Sequence, residues 1–158
     1  PHHRPDSSII KSGDSVVIDM GCVYQNYCSD LTRTIVIDQP DHQFVHVYKT
    51  VLKAQIHAEA EARPGMSGAE IDDLARSVIS DAGFGDQFGH SLGHGVGLEV
   101  HEKPWIAANS KNIIEPGMVF TIEPGIYIPG WGGVRIEDVV VMKETGVELL
   151  NKAKKMAF

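Results

Sequence analysis

Four acidic residues stand where acids are uncommon. Asp19 ends the apolar run Val16-Val17-Ile18, Glu123 follows Phe120-Thr121-Ile122, and Glu137 lies inside Val134-Arg135-Ile136-Glu137-Asp138-Val139. Asp30 precedes the strand-like stretch that begins at Leu31. A carboxylate in an apolar strand is buried only when it is paired or bound to a cation. Three of the eight histidines, His90, His94 and His101, fall within twelve residues, four and seven apart. Taken singly, a strand acid is more often a solvated edge residue, and a loop histidine incidental. Four such acids and a histidine cluster in one chain outweigh that reading. Carboxylates crowded together cannot all stay ionised without cations, because like charges raise one another's pKa. Two divalent cations would balance four carboxylates. Oxygen donors with one imidazole suit Mn²⁺, Co²⁺, Fe²⁺ or Zn²⁺ better than a soft-ligand metal. A structural zinc site would instead need thiolates or more histidines.

These residues need elements to hold them. The β-branched residues 16–18 follow Gly13-Asp14 and predict a buried strand after a turn. Residues 21–27 have mixed polarity and fit a hairpin, and 31–37 predict a second strand, so Asp19 and Asp30 can meet across the hairpin. Asp41 is a good N-cap, and Phe44, Val47, Tyr48, Val51, Leu52 and Ile56 follow at helical spacing. Arg63-Pro64-Gly65 stops that helix. Ser67 with Glu70 predicts a capping box for a second one, with Ile71, Leu74, Ala75, Val78 and Ile79 as its apolar face and Gly83 as its end. Glycines at 85, 89, 93, 95 and 97 argue against a helix through His90 and His94, which are expected on a loop running into an extended segment. Two more strands are expected, over 118–122 and 134–142.

Composition bounds the class. The chain has 158 residues, 42% hydrophobic and 22% charged, which suits one globular domain with its own core. A net charge of −7 offers no basic stripe for nucleic acid, and no apolar run is long enough for a membrane span. Cys22 and Cys28 could face each other across the hairpin; the reading taken is two free thiols in a reducing cytosol. Pro1-His2-His3 is not a natural start and is read as marking a fragment or a processed chain. Trp105 and Trp131 are read as rim or core aromatics, and residues 152–155 as a solvated tail.

Five motifs occur in order: Gly13-Asp14-Ser15-Val16-Val17-Ile18-Asp19-Met20-Gly21, Ser29-Asp30-Leu31-Thr32-Arg33-Thr34, residues 90–102, Thr121-Ile122-Glu123-Pro124-Gly125, and Gly133-Val134-Arg135-Ile136-Glu137-Asp138. Together they resemble the pita-bread metallopeptidases, which include aminopeptidase P, prolidase and methionine aminopeptidase. The second and fifth are similar to the proline-specific branch.

That resemblance implies an α+β, pita-bread (creatinase/aminopeptidase) fold, with residues 1–158 as a partial catalytic domain lacking the upstream part of its first half. It implies Asp19, Asp30, His94, Glu123 and Glu137 as ligands of two divalent metal ions, Mn²⁺ first, with Co²⁺, Zn²⁺ or Fe²⁺ as substitutes. Asp30 and Glu137 would bridge the pair. His90 and His101 match substrate-side histidines that also stabilise the tetrahedral intermediate, His2 matches a third, and Arg135 looks like a partner of a ligating carboxylate. The implied reaction is metal-dependent cleavage of the Xaa-Pro bond, with Glu123 relaying a proton from an activated water to the leaving nitrogen. The implied partner is a peptide, with a homodimer for the full-length parent, in the cytoplasm. A methionine aminopeptidase, a metal-free creatinase-like hydrolase and a non-catalytic binding module of the same fold are the rival readings.

Overall fold

The computed structural model describes residues 7–158, so Pro1-His2-His3 lies outside the described residues. The β-branched run becomes β1 (Ser15–Met20). A small ribbon follows, β2 (Val23–Tyr24) and β3 (Tyr27–Cys28), turning over at Gln25 and Asn26. Both turn residues have positive φ, 48° and 70°, the geometry that matches strand twist in a two-residue hairpin. Then β4 (Leu31–Val36) pairs antiparallel with β1, placing Asp19 opposite Thr32. Cys28 pairs with Val23 while the Ser29 amide donates to the Cys22 carbonyl. Alternation along the ribbon therefore puts the two thiols on opposite faces, and both are free.

The two expected helices form. In α1 (His42–Glu61), the Asp41 carboxylate accepts from the Phe44 amide at 2.6 Å. In α2 (Gly68–Asp81), Ser67 and Glu70 close a reciprocal capping box. Phe44, Val47, Tyr48, Val51, Ala54 and Ala58 bury one stripe of α1, and Ile71, Ala75 and Ile79 one stripe of α2. Ile56, expected on the apolar face of α1, is 50% exposed. Five residues beyond Val51, it has rotated off the stripe that Gln55 and Ala58 continue.

The remaining strands are β5 (Gly93–Gly95), β6 (Glu102–Ile106), β7 (Val119–Ile122), β8 (Gly125–Ile128), β9 (Gly132–Arg135), β10 (Asp138–Lys143) and β11 (Gly146–Leu149). Five of them form a sheet in the order β11-β10-β7-β5-β6, while β8 and β9 make a separate hairpin. The helix α1 lies against β7, β8, β9 and β11, and α2 against β6. Glycine is required in β5: a Cβ on Gly93 would overlap the Thr121 carbonyl, and one on Gly95 that of Lys103. No helix among the described residues is long and apolar enough to cross a membrane.

Two expectations need correction. Residues 134–142 do not form one strand. The chain leaves the β8 hairpin at Arg135 and joins β7 only at Asp138. The amides of Ile136 and Glu137 bond instead to the carbonyls of Pro124 and Thr32, and this break carries the Glu137 side chain inward. Nor is 152–155 simply a solvated tail. Lys152 and Lys154 are exposed, but the Lys155 ammonium lies 2.8 Å from Asp138 and 3.1 Å from Glu59. Arg33 donates to Asp138 at 2.6 Å and to the Ala153 carbonyl at 2.8 Å, and the Asn151 amide also donates to Asp138. The Asp138 carboxylate is fully buried, and a buried charge needs such partners. Beyond it, Phe158 packs edge-on against Phe44 and Tyr48.

Replacing Arg33 with Met leaves Asp138 buried with one cation of its two. The expected destabilisation is about 3–5 kcal/mol, the usual cost of breaking a buried ion pair from one side. Equilibrium urea unfolding measures it, and a loss below about 1 kcal/mol, the range of exposed pairs, would show that Arg33 is not needed to hold Asp138.

Candidate metal centre

Five chain segments deliver the marked residues to one place. Asp19 is near the end of β1, Asp30 directly precedes β4, and His94 is the middle residue of β5. Glu123 follows β7, its amide bonded to the Leu92 carbonyl at 2.8 Å, and Glu137 occupies the break between β9 and β10. Ligand-type atoms of Asp30, His94 and Glu137 all lie within 4.8 Å of one another. Nε2 of His94 is 3.2 Å from Glu123 and 3.8 Å from Asp30. Asp19 stands at the rim, its side chain 47% exposed, bonded to Nη2 of Arg135 at 2.6 Å. Arg135 also reaches within 4.0 Å of Glu123.

Hydroxyls fix the two glutamates. Thr32 donates to Glu137 at 2.6 Å, and Thr121 donates to Glu123 at 2.9 Å. Neither threonine was singled out as a site residue from the sequence. Period-two spacing could have found them, since Thr32 lies two residues after Asp30 and Thr121 two before Glu123.

The histidines divide into two groups. His94 is buried, and its Nδ1 sits 3.1 Å from the Gly95 carbonyl. A carbonyl can only accept, so Nδ1 carries the proton and Nε2 faces the carboxylates, the arrangement typical of a metal-ligating histidine. His101 is exposed, with its ring centroid 4.1 Å from that of His94. His90 lies off to the side. Its Nδ1 is 2.8 Å from the Ser91 carbonyl and its Nε2 is 3.2 Å from the Tyr127 hydroxyl, which accepts from Arg135 at 2.8 Å. A chain of contacts thus runs from Asp19 through Arg135 and Tyr127 to His90. Nothing in the sequence had placed Tyr127 beside His90, because β8 begins a new hairpin. His2 lies outside the described residues.

Electrostatics match the crowding. Burial, then the charges of Glu123 and Asp30, push the Glu137 carboxyl up to about 8. Burial, then the charge of Asp19, raises Asp30. For Glu123, burial acts upward, but the hydrogen bond and charge of His94 outweigh it and the carboxyl is lowered. For His94, burial acts downward and is outweighed by the bond and charge of Glu123, so its pKa is raised. Burial lowers His90. Protons therefore supply here the positive charge that the cluster needs. Hard oxygen donors plus one oriented imidazole are a donor set that fits divalent cations in place of those protons.

Residues 1–144 match the family model for metallopeptidase family M24. An Xaa-Pro dipeptidase from Pyrococcus furiosus is 50% identical over 155 residues, 98% of this chain and 44% of that protein. The solved prolidase from Pyrococcus horikoshii OT3 superposes with a TM-score of 0.95 at 48% identity, over 98% of this chain and 45% of that one. The X-Pro aminopeptidase from Thermotoga maritima MSB8 superposes at 0.96 with 44% identity, over 99% and 44%. The chain thus spans less than half the length of the relatives it matches.

Glu137 is ordinary when unfolded and raised to about 8 when folded. Its contribution to stability is therefore fully present below the ordinary carboxyl range and lost as pH rises through about 8; Asp30 and His94, also raised, act in the same sense. His90, lowered by burial, acts in the opposite sense below its ordinary range, so without cations the protein is expected to lose stability as pH rises through about 8, and Mn²⁺ to remove that loss. Binding Mn²⁺ near pH 7 should release at least about one proton, from Glu137 and His94, read by calorimetry in two buffers of different ionisation enthalpy. Stability that rises with pH through about 8 without metal, or binding without proton release, would refute the assignment.

Proposed function

Because the chain belongs to metallopeptidase family M24 and has the pita-bread fold of its structural neighbours, we propose that it carries the catalytic centre of an Xaa-Pro exopeptidase. The observation that supports this best is the convergence of Asp30, His94 and Glu137 within 4.8 Å, with Glu123 beside His94. Asp19, Asp30, His94, Glu123 and Glu137 would hold two divalent cations, with Mn²⁺ the first candidate. When bound, such cations supply Lewis acidity, lowering the pKa of a water and polarising the scissile carbonyl.

The chain's own residues supply the rest. Glu123 is held in its ionised form by His94 and Thr121. It would accept the proton of the attacking water and return it to the leaving proline nitrogen. The oxyanion requires a hydrogen-bond donor. Neutral His90 gives its Nδ1 proton to Ser91 and accepts at Nε2 from Tyr127. Donation therefore falls to His101, exposed on the rim above His94. His90 would set the position of Tyr127 and, through it, of Arg135. Asp19 and its neighbours would meet the substrate's free α-amine, which restricts the enzyme to chain ends. His2 keeps the substrate-side role that the resemblance gives it. Two unpaired thiols suit a reducing compartment and a cytoplasmic location.

A dipeptidase and an aminopeptidase remain as two forms of this reading, since neighbours of both names superpose equally well. Incubation with Mn²⁺ or Co²⁺ and an Xaa-Pro dipeptide, an Xaa-Pro tripeptide or a Met-Ala peptide separates them. Cleavage before proline is expected, and the dipeptide-to-tripeptide ratio assigns the form. Release of Met instead would move the protein to the methionine-specific branch. Cleavage of none would leave an incomplete fragment or a binding module, and the same assay on the full-length parent decides between them. Replacing Glu123 with Gln should keep the fold and lower kcat by about 10²–10⁴; an unchanged rate would remove Glu123 from the proton relay.

A further inference from the structure

The segment that carries His90 belongs to no strand or helix. Between the 3-10 turn at Gly85–Gln87 and β5, residues 88–92 run without regular hydrogen bonding. Their backbone groups need partners from elsewhere, and α2 supplies three of these. Asp72 and Arg76 stand one helical turn apart. Asp72 is fully buried and accepts from Nε and Nη2 of Arg76 at 2.6 and 3.0 Å. The same guanidinium reaches across to the loop: Nη1 donates to the Phe88 carbonyl at 2.9 Å, and Nη2 to the His90 carbonyl at 2.8 Å. Its carbon lies 4.1 Å from the centre of the Phe88 ring. Asp72 also accepts from the Leu92 amide at 2.9 Å. One ion pair thus holds residues 88, 90 and 92. The His90 ring stands edge-on against Phe88, 5.0 Å between centres, and also meets Tyr127 at 5.5 Å.

We infer that Arg76, seated on Asp72, is a positioning residue for the active site: it fixes the backbone from which His90 reaches Tyr127 and the Arg135–Asp19 pair. This rests on the role proposed above for His90. An i,i+4 pair on an exposed helix face contributes little. This pair differs because its carboxylate is buried and four directed hydrogen bonds and a ring face consume the guanidinium fork. Lysine keeps the charge that Asp72 needs but has neither the fork nor the flat face, so it cannot hold both carbonyls.

The test uses Arg76→Lys, His90→Ala and the double variant, each with metal content measured. In Arg76→Lys, the Leu92 amide, which bonds to Asp72, should exchange with solvent roughly tenfold faster, as expected for loss of a charge-assisted anchor. The His90 ring resonance should shift while that of His101 stays in place. On an Xaa-Pro substrate, kcat/KM should fall on the order of tenfold or more, as small misplacements near the reacting centre do, with metal content unchanged. That loss should vanish when His90 is already Ala, because residues acting through one another are not additive. An unmoved His90 resonance with unchanged exchange, or a rate loss that persists undiminished in the His90→Ala background, would overturn the inference. If His90→Ala alone leaves the rate untouched, the reading of His90 fails, and the resonance and exchange data still decide whether Arg76 holds the loop.

Discussion

Mutual repulsion among carboxylates governs this molecule. Asp30, Glu123 and Glu137 converge beside a single imidazole, and Glu137 is 2% exposed. Such a cluster gains nothing from hydrophobic burial and opposes folding unless positive charge enters it. No single strand could place these groups, since neighbouring residues on a strand point to opposite faces. The architecture answers by bringing the ends and breaks of several strands together, so that each acid arrives on a different segment. Even the glycines of β5 follow from this: without them the strand that carries His94 could not lie so close to β6 and β7.

Behind the acids lies a layer of groups that hold them against that repulsion. Thr32 and Thr121 each donate to one glutamate, and Arg135 reaches Asp19 and Glu123. Arg33 lies one step further back, donating to the backbone carbonyls of Thr32 and Glu137 at 2.9 and 2.5 Å while its other end pairs with Asp138. Two ion pairs with fully buried carboxylates, Arg33–Asp138 and Arg76–Asp72, thus do the same job. Each ties an irregular stretch of backbone to a regular element. Ion pairs of this kind add little net stability, but they set direction, which apolar packing does poorly.

Features governed by local chemistry were legible in the sequence. Asp41 and the Ser67–Glu70 box mark helix starts because capping needs only residues three apart, and the strand-borne acids stood out because their surroundings were apolar. Features set by distant partners were not legible. Residues 134–142 look like one strand, and only the bonds from Ile136 and Glu137 to Pro124 and Thr32 reveal the break. Lys155 looks like part of a charged tail until Asp138 and Glu59 are seen to meet it. Tyr127 carries no mark at all, since its importance comes from a histidine thirty-seven residues away. Ile56 misled for the opposite reason: it satisfies a helical pattern by type but falls outside the stripe that packs.

Exposure then gives the centre a direction. His94 and Glu137 are 6% and 2% exposed and close off one side. Asp19 is nearly half exposed and His101 lies open to solvent, so the cluster faces outward on their side. Tyr127, a member of the Asp19–Arg135–Tyr127–His90 chain, also lines a cavity of about 420 Å³ with Val17 and Trp131. Polar groups thus stand at the rim with apolar surface beside them, and the buried carboxylates lie behind. Burial therefore does two things with one gradient. It perturbs the inner acids, and it leaves Asp19 and His101 in contact with solvent.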